Sequence, residues 1–272
     1  MKHEIKLEIQ AQPDDTSCGP TCLHALYRYY RKDDVSLKQL INDIHKLDSG
    51  GTLIEILACD ALRRGFDATI YTYHLQMFDP TWFAADGVVH DPESVSQRLQ
   101  DQLKVKKWNR LTPATKACRE FLSRGGQLKM ADLTGELIAG YISQGYPIIA
   151  GLSSTFLYRE MRETGAEMEE DDVRGEPQGH FVALVGYDSR KREVIVADPL
   201  DVHPPFYTAK YRLAMDRLIN AILLGILTND ANLLVITPKG ARTAAEDDMA
   251  TTVPVPRRKR LPSNRNKTRP GR

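Results

Sequence analysis

Residues 179–199 read G-H-F-V-A-L-V-G-Y-D-S-R-K-R-E-V-I-V-A-D-P. Two apolar, β-branched runs, His180–Tyr187 and Glu193–Ala197, flank the polar turn Asp188-Ser189-Arg190-Lys191, which is the pattern of an antiparallel pair of strands. In such a pair the two ends far from the turn lie together. His180 opens the first strand and Asp198 closes the second, so the pairing predicts an imidazole beside a carboxylate. Asp188 falls at the turn end, away from His180, and Asp201 follows Asp198. Each residue also has a plainer use. A strand-end Asp often only closes a turn, and a lone His at the mouth of a strand is often a packing residue.

A thiol stands far upstream. Gln12–Cys22 read Q-P-D-D-T-S-C-G-P-T-C, and the chain continues L-H-A-L-Y-R-Y-Y. Ser17 suits an N-cap and Pro20 is tolerated in a first helical turn. Cys22, Leu23, Leu26 and Tyr30 recur at helical spacing, which predicts a helix with a buried face. Cys18 then sits at the helix N-terminus, where free N–H groups and the macrodipole favour a thiolate. A buried structural thiol is the commoner fate of a free cysteine. Cys22, one turn on, reads as core. Gln12 supplies an amide donor near the thiol, although a polar loop residue would look the same. His24, His45, His74, His90 and His203 lack a comparable setting.

Taken together, these segments resemble the C39-like peptidases, a branch of the papain-like cysteine proteases. The motifs that carry the resemblance are Gln12, Asp15-Thr16-Ser17-Cys18-Gly19-Pro20, Gly179-His180-Phe181-Val182 and Ala197-Asp198-Pro199. It spans roughly residues 8–240, and its motifs are specific as a set and weak singly. It implies an α+β papain-like fold, with a helical N-terminal half carrying the nucleophile and an antiparallel sheet in the C-terminal half. It implies a cysteine peptidase that cleaves a peptide or related amide bond. Cys18 would be the nucleophile, His180 the base, Asp198 the orienting acid and Gln12 an oxyanion donor. Papain-like relatives often use Asn to orient the base, so Asn at 198 is expected to keep much more activity than Ala. No cofactor or metal is required. The same acyl-enzyme could be resolved by an amine, making a transferase, and a catalytically silent peptide-binding module would keep the same fold.

The remaining chain reads as helices over Ser36–Leu47, about Thr52–Gly65, Asp91–Lys107, Pro113–Arg124, Asp132–Gln144 and Tyr211–Leu224. Strands are expected over Phe66–Tyr73, Pro147–Leu152 and Asn232–Thr237. Thr52-Leu53-Ile54-Glu55 has capping-box spacing. Gly151–Tyr158 precedes a polar excursion containing Glu167, Glu169, Glu170, Asp171 and Asp172. Such a loop is usually just solvated. Flanking the cleft instead, it would favour basic substrates, with Ser153, Ser154 and Gly179 touching substrate.

At 42% hydrophobic and 27% charged residues, the 272-residue chain has the composition of a soluble globular protein. Residues 257–272 carry eight Lys or Arg and no acid, which leaves the remainder at −7 against a whole-chain charge of +1. That body does not suit nucleic acid. One peptidase domain over 1–239 and an unpacked basic tail over 240–272 are expected, the tail being able to meet an acidic partner. Four scattered cysteines suggest neither a disulfide framework nor a zinc site. The charged N-terminus has no apolar signal core, and no apolar run approaches the ~20 residues that span a bilayer. A cytoplasmic location is the expectation.

Overall fold

A computed structural model describes residues 2–30, 35–47, 50–107, 110–165, 168–200 and 205–241. Glu167, Asp201, His203 and the basic tail from residue 242 lie outside the described residues. In chain order the elements are β1 (Lys2–Glu4), α1 (Cys18–Tyr29), α2 (Leu37–Asp43), α3 (Ile54–Arg63), β2 (Phe66–Thr72), α4 (Pro92–Val105), α5 (Leu111–Ser123), β3 (Gln127–Lys129) and α6 (Gly135–Ser143). There follow β4 (Ile148–Ser153), α7 (Ser154–Tyr158), β5 (Glu163–Thr164), β6 (Glu169–Glu170), β7 (Gly179–Asp188), β8 (Glu193–Ala197), β9 (Lys210–Ala214), α8 (Met215–Leu224) and β10 (Asn232–Pro238).

The fold is α+β, as expected. The main sheet runs β3-β2-β10-β4-β7-β8-β9, with β1 also pairing β7, and only the β2–β3 pair is parallel. β10 returns to the middle of the sheet, between β2 from the helical half and β4. The sheet is therefore shared by both halves of the sequence. Its central strands are apolar on both faces: Ile148, Ile149, Ala150, Val182, Ala183 and Leu184 are fully buried. β7 lies between β4 and β8; its N-terminal end, Gly179–Val182, pairs along β4, and its pairing with β8 begins at Ala183.

α1 goes further than an amphipathic pattern implies. Every residue from Cys18 to Tyr27 is buried, so this helix is core on nearly all sides. Ser17 occupies the N-cap, but its hydroxyl donates to Asp14 O at 2.9 Å and makes no cap bond to the helix. Asp14 in turn binds Thr16 through its N–H and hydroxyl, which makes residues 14–17 a self-tied turn.

Three local expectations are corrected. The Thr52 hydroxyl bonds His45 O, and Leu53 is the N-cap of α3, so no capping box forms. α6 starts at Gly135 because the Thr134 hydroxyl caps it by accepting from Leu137 N at 3.1 Å. Lys210–Ala214 is a strand and not the start of a helix. Its side chains alternate exposed and buried, and it pairs along β8 at the edge of the sheet. Five residues of period-two pattern running into a helix cannot be divided by periodicity alone.

Candidate active site

Four chain segments converge on one point. Cys18 is the first residue of α1 and is 8% exposed. The Ser17 hydroxyl is turned away, and Pro20 has no N–H. The first-turn N–H groups of Cys18 and Gly19 therefore have neither an intrahelical acceptor nor a side-chain cap. Thr52, Leu57 and Phe181 press on Gly19, where a Cβ would come within 3.0–3.2 Å of all three.

His180 is the second residue of β7 and is buried at 6% exposure. The hairpin register sets Ala183 opposite Ala197 and Asp188 opposite Glu193, with a bulge between Leu184 and Gly186. This places Asp198 beside His180, and Nε2 of the ring lies 2.9 Å from Asp198 Oδ1. The Cys18 side chain is close enough to the ring to act on it as a hydrogen-bonding and charged neighbour. Burial favours a neutral imidazole, but the Asp198 charge, its hydrogen bond and Cys18 outweigh it and push His180 up to about 10. Burial likewise opposes ionisation of Asp198. The His180 charge and hydrogen bonds from His180, Tyr158 and Tyr211 win, holding this carboxyl below the usual carboxylate range. Asp188 sits at the turn, as expected, and accepts from the Arg190 and Lys191 N–H groups.

Gln12 reaches the site through its backbone. Its N–H donates to Pro199 O at 2.8 Å, which fastens the segment before Cys18 to the turn that carries Asp198. Its side-chain Oε1 is buried without a hydrogen-bond partner, so packing holds that end of the amide. Ser153 caps α7, accepting from Phe156 N, and the N–H and hydroxyl of Ser154 both donate to Gln178 O. Ser154 thus fastens the residue before β7 to the start of α7, while the Ser153 hydroxyl serves the helix cap. Gly179 is exposed beside His180, and a Cβ there would fall 1.8 Å from Asp230 Oδ2.

Cys22 is fully buried, and its Sγ donates to Phe181 O at 3.3 Å. Burial, then the nearby Cys18 and Asp198, push its thiol well up, in keeping with a core residue. His74 is a packing residue. Nδ1 accepts from Met77 N, Nε2 lies 2.6 Å from Asn229 Oδ1, and burial holds the ring below its ordinary value. The acidic excursion folds into the small β5–β6 hairpin. Within it, Asp171 spends its carboxylate on the N–H groups of Val173 and Arg174. A groove of about 810 Å³ lies elsewhere, lined by residues that include Lys6, His24, Arg28 and Lys210. Its lining includes none of Cys18, His180 and Asp198, so it is not where these three residues meet.

Sequence reasoning missed two residues here. Tyr158 and Tyr211 both donate to Asp198 Oδ2, at 2.6 and 2.7 Å. Tyr158 sat in a stretch read as the start of a loop, and Tyr211 in one read as a helix.

The family model described as Peptidase_C39 like family matches residues 3–214. The chain belongs to the C39-like cysteine peptidase family. The match covers every element of the site and stops at Ala214, before α8 and the central strand β10. No curated protein matches the chain. Among solved structures it is similar to a C39-like peptidase from Bacillus anthracis at 15% identity, with 89% of this chain and 99% of that one covered and a TM-score of 0.39. It is also similar to a double glycine motif protease from an AMS/PCAT transporter in complex with the leader peptide, at 14% identity, 87% and 95% coverage and a TM-score of 0.40. Xylellain, a cysteine protease from Xylella fastidiosa, is similar at 15% identity, 89% and 86% coverage and a TM-score of 0.39. Among the described residues no helix is long and apolar enough to cross a membrane.

Proposed function

We propose that this C39-like peptidase hydrolyses peptide or related amide bonds through Cys18, His180 and Asp198. The observation that carries the proposal is the buried His180 that holds Asp198 on Nε2 at 2.9 Å, with the helix-start Cys18 as its close neighbour. Cys18 passes its proton to His180 and attacks the carbonyl carbon. Negative charge gathers on the carbonyl oxygen, which takes hydrogen bonds from the Cys18 N–H and the Gln12 amide. Collapse breaks the C–N bond, and His180 returns the proton to the leaving amine. His180 then deprotonates water, which attacks the thioester and frees the acid and the thiol. Asp198 fixes the imidazole tautomer and stabilises its cation. Gly179 is exposed beside His180 where substrate would pass, and Ser153, paired with it, and Ser154 flank that margin.

The test is alkylation with iodoacetamide followed by mass spectrometry. Cys22 and Cys118 are fully buried with their thiols pushed well up, and burial raises Cys59 to about 12, so these three label slowly. Cys18 is expected to label first, and Cys18→Ser is expected to remove both the fast label and peptide hydrolysis. Faster labelling at any other cysteine would overturn the assignment.

A further inference from the structure

Asp198 holds more partners than an orienting group needs. Oδ1 accepts from His180 Nε2 at 2.9 Å and from the Leu200 N–H at 3.0 Å. Oδ2 accepts from the hydroxyls of Tyr158 and Tyr211. The four donors come from β7, from the turn after β8, from α7 and from β9. Both tyrosines are buried, and both are braced. Phe206 stacks on Tyr211 with centroids 3.7 Å apart and planes 1° apart, and its edge meets Tyr158 at 6.2 Å. Arg217 of α8 ties down the α7 backbone through the carbonyls of Phe156 and Leu157.

The donor count discriminates between acid and amide. An ionised carboxylate only accepts and has about four lone-pair sites, matched here by four donors. An amide has one accepting oxygen and an NH2 group. With its oxygen towards His180, an amide at 198 turns its NH2 on two phenols. Those phenols can accept, but Asp198 no longer takes their protons. The match of four donors to a purely accepting group is then lost, and donors face donors across residue 198. With its oxygen towards the phenols, the amide sets N–H against the donating Nε2 of His180, and the ring loses its orientation.

We infer that Tyr158 and Tyr211 are positioning residues, which hold Asp198 as an anion aimed at His180 and make the site reject a neutral amide in its place. The inference rests on the proposed triad, and it reverses the expectation that Asn at 198 would keep much more activity than Ala. The groups facing Asp198 are His180 on β7, Tyr158 on α7 and Tyr211 on β9, with Cys18 and Cys22 on α1 behind the ring and Arg217 on α8 near Tyr211. Burial, first, and the Asp198 charge keep both phenols protonated at any working pH.

The test is the pH dependence of Cys18 alkylation by iodoacetamide in the full chain, with melting temperature followed alongside. Removing a donor from an ionised carboxylate raises its pKa. Tyr158→Phe and Tyr211→Phe should therefore each displace the acid limb of the profile by about one pH unit, the size of one charge-assisted hydrogen bond. Phe keeps the ring, so a merely structural role would lower the melting temperature and leave the limb in place. In an Asp198→Ala background the same two changes should have no further effect on the rate, because they act through Asp198. Asp198→Asn should fall close to Asp198→Ala and His180→Ala. If His180→Ala shifts the profile and the tyrosine variants do not, the clamp is wrong and the triad stands. A wild-type profile for Asp198→Asn also overturns the clamp. If His180→Ala itself changes nothing, triad and clamp fall together.

Discussion

Gly179→Ala is the smallest perturbation the structure makes expensive. The added Cβ would lie 1.8 Å from Asp230 Oδ2 and 2.8 Å from both Asp230 Cγ and Thr228 Oγ1. An ordinary nonbonded contact is about 3.5 Å, so one side must give by about 1.5 Å. The Asp230 backbone has little room, because Gly151 and Gly225 already pack against it closely enough that a Cβ on either would clash or crowd. Arg110 also holds Thr228 O at 2.9 Å. The start of β7 is then the part that moves, and it carries His180 away from a 2.9 Å bond to Asp198. Misplacement of about 1 Å in such a site typically costs about 100-fold. Alkylation of Cys18 at pH 6 reads the damage directly. His180 displaced from Asp198 no longer takes up the Cys18 proton in the right orientation, so the expected fall in rate is about 10- to 100-fold. Gly179→Ala combined with Asp230→Ala removes the obstruction and should recover most of the rate. A wild-type rate for Gly179→Ala alone would show that Asp230 yields instead of β7, and the reasoning would fail.

Two further outcomes follow from the same geometry. Asp198→Ala should cut turnover by about 100-fold or more, because His180 loses its tautomer and orientation. Asp188→Ala, which removes only turn N–H acceptors, should leave turnover unchanged, and the reverse ranking would refute the hairpin register. Burial, reinforced by Asp230, pushes Glu55 up to about 7. The folded chain therefore holds this proton longer than the unfolded one, and stability falls as pH rises from about 4.5 to 7. Glu55→Gln should then melt higher than the parent at pH 8, by up to about 3 kcal/mol of stability, with no such gain at pH 4.5. An equal difference at both pH values, checked by thermal melts, would refute the linkage.

What could be seen in the sequence was whatever depends on neighbours along the chain. The β7–β8 hairpin was legible because both strands and their turn lie within 21 consecutive residues, and its register alone put Asp198 beside His180 and Asp188 away from it. The start of α1 was legible for the same reason, from Ser17 to Tyr30. The contacts that give the carboxylate its character were not. Tyr158 reaches Asp198 from 40 residues before it and Tyr211 from 13 after it, and neither position carries a period or spacing that announces a phenol aimed at an acid. Tyr211 was hidden further because Lys210–Ala214 runs straight into α8, and only pairing with β8 decides that it is a strand. Gly179 shows the same limit. Its sequence neighbours suggest a permissive residue before a strand, whereas the reason for glycine is Asp230, delivered by the turn before β10. In this chain local pattern picks out Cys18, His180 and Asp198, and long-range packing supplies the phenols that bind the Asp198 carboxylate. The four donors around Asp198 belong to that second level. For that reason a relative with the same three motifs but no phenols at the positions of Tyr158 and Tyr211 would have room for Asn where this chain has Asp198.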